Sequence, residues 1–449
     1  MAATPPSSIF NVPELVGLVA QYLNSRDVAR CMATSKAWVH LFESFLWQDV
    51  VLKRPHPTPQ ILARNRHRIR SLRIASYDYP NLQALAADLP NTPFSEPSQE
   101  SRDSTSSSTA TGNNIFQNLR IIRIDNDYPY RWKLRCLDYI LRILHQSPSL
   151  LQLSLPSDIL DDSVTSDQTE SFLYAMAHKL PCIKGLDIRD DLNSRGHKVL
   201  PKIGLELLRV CLSHPQLANL HCNFRMNYLS TKDFHQINAF LNSVEDNKKA
   251  KEATGKSALG SPIKSLRFPE ITEGYPPNYL CTLLRSCLPN LELLYLPDVG
   301  GNRELSFVES LRDAVAQGCP KLQHLRCSWY DDEESHNVIN GIVKGCKQWG
   351  LKSFHCEKLE DDESRCILET LLSNHSNTLE EVELVHCQVN CYDLVDLLSC
   401  RNLKKVKILQ SSDGDGAIEL HNVKFKCRDL KELQLSIVQP EMDYEDDDF

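Results

Sequence analysis

A six-residue pattern, apolar-x-x-apolar-x-apolar, recurs twelve times between residues 69 and 437. It stands at Ile69-Leu72-Ile74, Leu119-Ile122-Ile124, Leu150-Leu153-Leu155, Ile183-Leu186-Ile188, Leu217-Leu220-Cys222 and Ile263-Leu266-Phe268. It continues at Leu291-Leu294-Leu296, Leu322-Leu325-Cys327, Leu351-Phe354-Cys356, Leu379-Val382-Leu384, Leu403-Val406-Ile408 and Leu430-Leu433-Leu435. The last two apolar positions of each copy are two residues apart, so on a strand they point to the same side. One short strand cannot bury that side alone, but stacked copies share a continuous interior. Between the copies lie segments with helical spacing, at 134–145, 170–180, 204–213, 232–244, 279–287, 307–316, 335–346, 364–372 and 393–398. Strand followed by helix, repeated, specifies an α/β chain with a parallel sheet on one side and helices on the other.

The copies resemble leucine-rich repeats. The resemblance implies a solenoid over residues 69–437, with a curved parallel β-sheet inside and helices outside. Twelve strands at about 4.8 Å spacing give a sheet of roughly 50 Å, a size suited to a protein partner. Two spacings are too long. The excess between Ile69 and Leu119 holds "SEPSQESRDSTSSSTATGNN", and the later one holds "VEDNKKAKEATGKSALGSP". Both are poor in large apolar residues and are expected to be mobile insertions, near 95–113 and 244–262. The last residues, 438–449, form an acidic, solubilising tail.

The middle x of each copy faces away from the interior. In order these positions are Arg73, Arg123, Ser154, Asp187, His221, Arg267, Tyr295, Arg326, His355, Glu383, Lys407 and Gln434. The run Arg267, Tyr295, Arg326, His355 is basic and aromatic, with His324 beside it. It suits an acidic or phosphorylated segment held by charge-assisted hydrogen bonds; the bland alternative is an ordinary polar sheet face. Beyond the strands, Asp125, Asp127, Asp161-Asp162, Asp190-Asp191, Asp331-Asp332 and Asp361-Asp362 precede helices, where capping and the helix dipole favour acids. Trp329 and Tyr330, next to Asp331, and Tyr128, Tyr130 and Trp132 share that rim. Exposed aromatics rimmed by charge are typical interface anchors.

Residues 9–50 follow a different pattern. Val12-Pro13-Glu14 opens a first helix, with Leu15, Leu18, Val19, Tyr22 and Leu23 as its apolar stripe. Asn24-Ser25 caps a second, with Asp27 in its first turn and Val28, Cys31 and Met32 on its apolar face. Lys36 to Trp47 forms a third. About forty residues rarely sustain an independent core, so this head must pack on something else. Pro13-Glu14-Leu15, Leu18-Val19, Tyr22-Leu23, Asp27-Val28, Trp38 and Leu46-Trp47 resemble an F-box. Val12 departs from the family's usual leucine, and Thr34-Ser35-Lys36 from its usual cysteine or valine followed by a basic residue. The resemblance is to F-box proteins with C-terminal leucine-rich repeats, of the fungal type. It implies binding to a Skp-type adaptor, and through it to a cullin ubiquitin ligase. By position, Pro13, Glu14, Leu15, Leu18, Val19, Leu23, Asp27 and Val28 would face the adaptor, and the repeats would hold a protein substrate. The alternatives are a helical cap on the repeats and a repeat scaffold that acts outside ubiquitylation. Residues 51–68, with "RPHPTP" and "RNRHRIR", are expected to be an extended proline-rich and basic connector.

Composition excludes much else. The net charge is −8, from 50 basic and 58 acidic residues, which disfavours binding to nucleic-acid phosphates. No apolar run is long enough to span a bilayer, and "MAATPPSSIF" lacks the pattern of a signal peptide, so a cytoplasmic or nuclear protein is expected. The sixteen cysteines contain no C-x-x-C pair and are expected to be small apolar core residues rather than metal ligands. There is no phosphate-binding glycine loop, nucleophile elbow or H-E-x-x-H. No catalytic residue and no cofactor are expected.

Overall fold

The structure is a computed structural model. It describes residues 13–20, 22–52, 59–75, 79–87, 89, 115–125, 133–156, 165–189, 198–199, 201–222, 225–226, 239, 242–243, 246, 261–267, 270–271, 277–296, 305–328, 335–348, 350–359, 361–387, 389, 391–411 and 430–438. The expected insertions near 95–113 and 244–262, the helix at 232–244 and the tail beyond Val438 lie almost entirely outside these residues. The chain divides into two compact units, Met1–Asn193 and Ser194–Phe449.

The first unit opens with three helices, α1 (Pro13–Ala20), α2 (Ser25–Thr34) and α3 (Lys36–Leu46). Asn24 caps α2 by accepting from the Asp27 amide at 2.9 Å, and Ser35 caps α3 by accepting from the Ala37 amide at 3.2 Å. Val16, Ala20, Val28 and Phe42 form a small core, with Leu23, Trp38, Leu41 and Phe45 packed around it. After α3 the chain enters β1 (Asp49–Leu52) almost at once. Then come α4 (Pro59–Asn65), β2 (Ser71–Ile74), α5 (Tyr79–Ala86), β3 (Ile121–Ile124), α6 (Lys133–His145), β4 (Gln152–Pro156), α7 (Ser166–Tyr174) and β5 (Gly185–Arg189). The strands are parallel and follow chain order, with Val50, Leu72, Ile122, Leu153 and Leu186 in register.

β1 was not expected. Trp47, Val50 and Leu52 nevertheless spell the same apolar-x-x-apolar-x-apolar pattern, and they are 8%, 8% and 0% exposed. The repeat series therefore begins at Trp47 rather than Ile69. Residues expected to be an extended connector instead supply the end of β1 and a helix, α4, that packs on α5. The Gln48 carbonyl accepts from the amides of Arg70 and Ser71 at 2.9 and 2.8 Å, and Arg68 lies 3.0 Å from Glu43 of α3. Head and repeats are thus fused through one residue, Trp47, with no spacer.

The second unit carries the remaining pattern copies as β7 (Asn219–Cys222), β9 (Ser265–Arg267), β11 (Leu293–Leu296), β12 (His324–Ser328), β13 (Ser353–Leu359), β14 (Glu381–Cys387), β15 (Lys405–Ser411) and β16 (Glu432–Val438). They pair in that order, all parallel. Between them lie β6 (Lys198–Val199), α8 (Pro201–Ser213), β8 (Arg225–Met226), β10 (Glu270–Ile271), α9 (Pro277–Cys287), α10 (Leu305–Gly318), α11 (Ser335–Gly345), α12 (Asp361–His375) and α13 (Cys391–Leu397). β6, β8 and β10 form a separate small parallel sheet. All twelve copies named above form strands, and the fold is α/β, a leucine-rich-repeat solenoid.

Inward residues form unbroken ladders. Leu220, Leu266, Leu294, Leu325, Phe354, Val382 and Val406 are in register and at most 1% exposed. Each contributes roughly 1.5–3 kcal/mol of burial. Neighbouring strands are also tied by a shared carbonyl. Lys264 O accepts from the Glu292 and Leu293 amides at 2.7 and 2.9 Å, and Lys404 O accepts from Lys431 and Glu432 in the same way. On the helical side, two glycines permit close approach. A Cβ on Gly318, at the end of α10, would lie 2.0 Å from the Leu284 carbonyl of α9, and one on Gly345 would lie 2.7 Å from the Arg312 carbonyl. Ten of the described cysteines are buried in this interior, where burial pushes Cys281 up to about 11 and Cys319 up to about 12.

Candidate functional site

The positions expected to face outward form ladders of their own. In the first unit Arg73, Arg123, Ser154 and Asp187 stand in register. Arg73 and Arg123 share one carboxylate, Asp125, at 2.5 and 3.2 Å. Asp125 thus neutralises two arginines rather than only capping a helix. In the second unit the row runs His221, Arg267, Tyr295, Arg326, His355, Glu383, Lys407, Gln434.

This second row has two unlike halves. On the β9–β12 side, Arg267 and Arg326 come from the strands flanking Tyr295. The Arg267 guanidinium lies 4.1 Å from the ring centroid and donates to the Tyr295 hydroxyl at 3.3 Å. Arg326 lies 5.8 Å from the same centroid. Cation–π contacts of this kind hold a guanidinium in place without consuming its charge. On the β13–β15 side the charges are paired. His355, only 5% exposed, has Nε2 2.9 Å from Glu357 Oε1 and Nδ1 3.0 Å from Glu383 Oε2. Lys407 reaches Glu383 at 2.5 Å.

The carboxylates record these contacts. The hydrogen bond from His355 holds Glu357 below the usual carboxylate range, with further pull from Arg326 and Arg267. Burial pushes Glu383 upward, but the hydrogen bonds from Lys407 and His355 outweigh it and leave the group lowered. Both therefore stay ionised near neutrality. Where the two halves meet, a recess of about 240 Å³ opens on the sheet, lined by Leu293, His324, Arg326, Ser353, His355, Glu381, Glu383 and Lys405 and by the strands at Phe354 and Val382. That is several water volumes, room for one or two side chains.

Sequence reasoning aligned Arg267, Tyr295, Arg326 and His355, and the structure brings them side by side. It named His324 beside them but missed Glu357 and the rest of His324's own row, Ser265, Leu293, Ser353, Glu381 and Lys405. The signal was present: each strand has an outward position two residues before and after the middle x, and only one row was read in full. Trp329, Tyr330 and Asp331 lie outside the described residues, as do Tyr128, Tyr130 and Trp132.

The head presents a second surface. Leu15, Leu18, Val19 and Tyr22, at helical spacing, are 38%, 54%, 43% and 89% exposed. Val16 and Ala20, on another face of the same helix, are 3% and 5% exposed. Pro13 and Glu14 open α1. Leu23 packs on the core, and Asp27 pairs with Arg30 at 3.1 Å in the first turn of α2. Val28 differs from expectation. It is 2% exposed because it closes against Val16, Ala20 and Phe42, so it shapes the head rather than facing outward.

No protein-family profile matches this sequence, and no curated protein does. Among solved structures, the leucine-rich repeat-containing protein LegL7 from Legionella pneumophila aligns over 72% of this chain and 97% of its own, at 13% identity and a TM-score of 0.35. An internalin, inlF, from Listeria monocytogenes aligns over 73% and 82%, at 12% identity and a TM-score of 0.29. A chain from the Rad7 and Elc1 complex in yeast aligns over 72% and 83%, at 13% identity and a TM-score of 0.35. Likeness at this level carries no argument about function.

Proposed function

We propose that this protein is a non-catalytic substrate receptor of a Skp, cullin and F-box type ubiquitin ligase. On this reading the head docks on the Skp-type adaptor through Leu15, Leu18, Val19 and Tyr22, and the strand face of the repeats holds the protein to be modified. The observation that carries the reading is that exposed apolar face. Single exposed leucines are ordinary, but Leu15, Leu18 and Val19 on one face of an eight-residue helix, with Tyr22 in the turn just beyond it, form a patch that water disfavours. The F-box resemblance covers the same residues. The work of such a receptor is proximity, so it needs no catalytic group of its own. Among the described residues no helix is long and apolar enough to cross a membrane, and the reading assigns the protein to the cytoplasm or nucleus.

The second reading is a repeat scaffold whose head only seals the sheet. The fusion at Trp47 and the Arg68–Glu43 pair favour it, since a cap must be continuous with the first repeat. A cap explains Val16, Ala20, Val28 and Phe42, but it leaves the exposed face without a role. Co-purification with a Skp-type adaptor separates the two. The double variant Leu15→Glu, Leu18→Glu should lose the adaptor while keeping the circular dichroism spectrum and melting temperature of the parent. Adaptor capture that survives the double variant would sink the docking assignment. Capture without turnover of any bound protein in a reconstituted ligase would favour the scaffold.

A further inference from the structure

The row on the second unit has an imbalance. Arg267 is held against Tyr295, and Lys407 against Glu383. Arg326 is exposed, and among the described residues no carboxylate forms an ion pair with it. It stands at the mouth of the recess with His324 and Ser353 beside it. Two acids on the neighbouring strands are already engaged, Glu357 by His355 and Glu383 by both His355 and Lys407. In a chain of net charge −8, an arginine at a recess with no ion-paired carboxylate among the described residues leaves room for a further negative group.

We propose that this recess binds an aspartate- or glutamate-bearing segment of a partner protein, with Arg326 taking the carboxylate in a two-point hydrogen bond and His324 and Ser353 completing its shell. A planar guanidinium matches a carboxylate edge to edge, and the Tyr295 ring keeps that plane oriented. Charge decides between a carboxylate and a phosphate. Among the described residues lining the recess, one arginine without an ion pair matches one negative charge, while Glu381 and Glu383 close the β14 side and oppose a second. The same two glutamates turn away a nucleic-acid backbone. The proposal rests on the reading of the strand face as the recognition end, and not on what the head binds.

The test is fluorescence anisotropy on the full-length chain with three labelled dodecapeptides of one sequence, carrying two glutamates, two glutamines or two phosphoserines. The glutamate peptide should bind at least ten-fold tighter than the glutamine peptide and weaken with added salt. Arg326→Glu should abolish this binding, and Arg326→Lys should weaken it several-fold. Arg209→Glu, on α8, should leave it unchanged. Equal binding of glutamate and glutamine peptides would overturn the proposal, as would full binding by Arg326→Glu or no binding at all. A phosphoserine peptide that binds ten-fold tighter than the glutamate one would also overturn it, and would assign a dianion instead. Adaptor capture is measured on the same samples. Its loss in the parent with peptide binding intact sinks only the ligase reading; its retention with peptide binding absent sinks only this one.

Discussion

In the repeats, in-register leucines from β7 to β12 are at most 1% exposed, whereas in the head three large apolar residues of α1 and Tyr22 just beyond it are 38–89% exposed. Both regions are built from short amphipathic elements with apolar residues at regular spacing. What differs is the number of neighbours. Within each unit, every internal repeat has one on each side, and each contributes an inward ladder and a shared carbonyl. Among the described residues, the three helices of the head pack on each other, with β1 and Arg68 beside α3. Val16, Ala20, Val28 and Phe42 use up the interior they can make, and the rest of the apolar surface stays outside. A residue's exposure here reports the supply of partners more than its hydrophobicity.

That contrast can be broken by experiment. The largest effect is expected from Phe354→Ala, which empties a ladder position and should cost about 3–5 kcal/mol in chemical denaturation. A loss below about 1 kcal/mol would show that the ladder relaxes as freely as the head surface. Gly318→Ala should follow, at about 1–3 kcal/mol, because the new methyl meets the backbone of α9 and not a flexible side chain. A neutral result would mean that α10 slides at no cost.

Acidification ranks next. His375 is 1% exposed; its Nδ1 accepts from the Leu351 amide at 3.1 Å, so the proton sits on Nε2, 2.8 Å from the Val343 carbonyl. Burial holds its pKa below 6.5, against a smaller upward pull from that carbonyl. The folded value lies below the unfolded one, so the unfolded chain takes up the proton first. Stability is therefore full above about 6.5 and falls with pH until the folded value is passed. Denaturant midpoints at pH 7.5, 6 and 5 should show this decline, and His375→Gln should flatten it. The smallest effect belongs to the head: Leu18→Ser should change stability by no more than about 0.5 kcal/mol. A larger loss would mean that the exposed face is covered within the chain and is not a docking surface.

Much of this was legible from one pattern. All twelve copies form strands, and the middle x positions align from His221 to Gln434 because alternation along a strand is a local property. The thirteenth copy, Trp47-Val50-Leu52, was overlooked because Trp47 also ends the third helix and was assigned to the head alone. Gly318 and Gly345 were overlooked because nothing in their flanking residues tells that another helix's backbone lies within contact. Val28 was assigned to the adaptor face by its position in the F-box resemblance, whereas its place on the apolar face of the second helix already fits its burial against Val16 and Phe42.

By itself the sequence determined the parallel repeat, its inward and outward faces and the existence of a surplus-bearing head, since each follows from spacing within a few residues. Only the tertiary structure decided which charges on the strand face are spent. Lys407 and Glu383 are 24 residues apart, and Arg267 and Tyr295 are 28, so their pairing depends on the register of separate repeats. It likewise decided that α1 buries Val16 and Ala20 and leaves Leu15 and Leu18 outside. Both sets are apolar at helical spacing, and only packing against Phe42 distinguishes them.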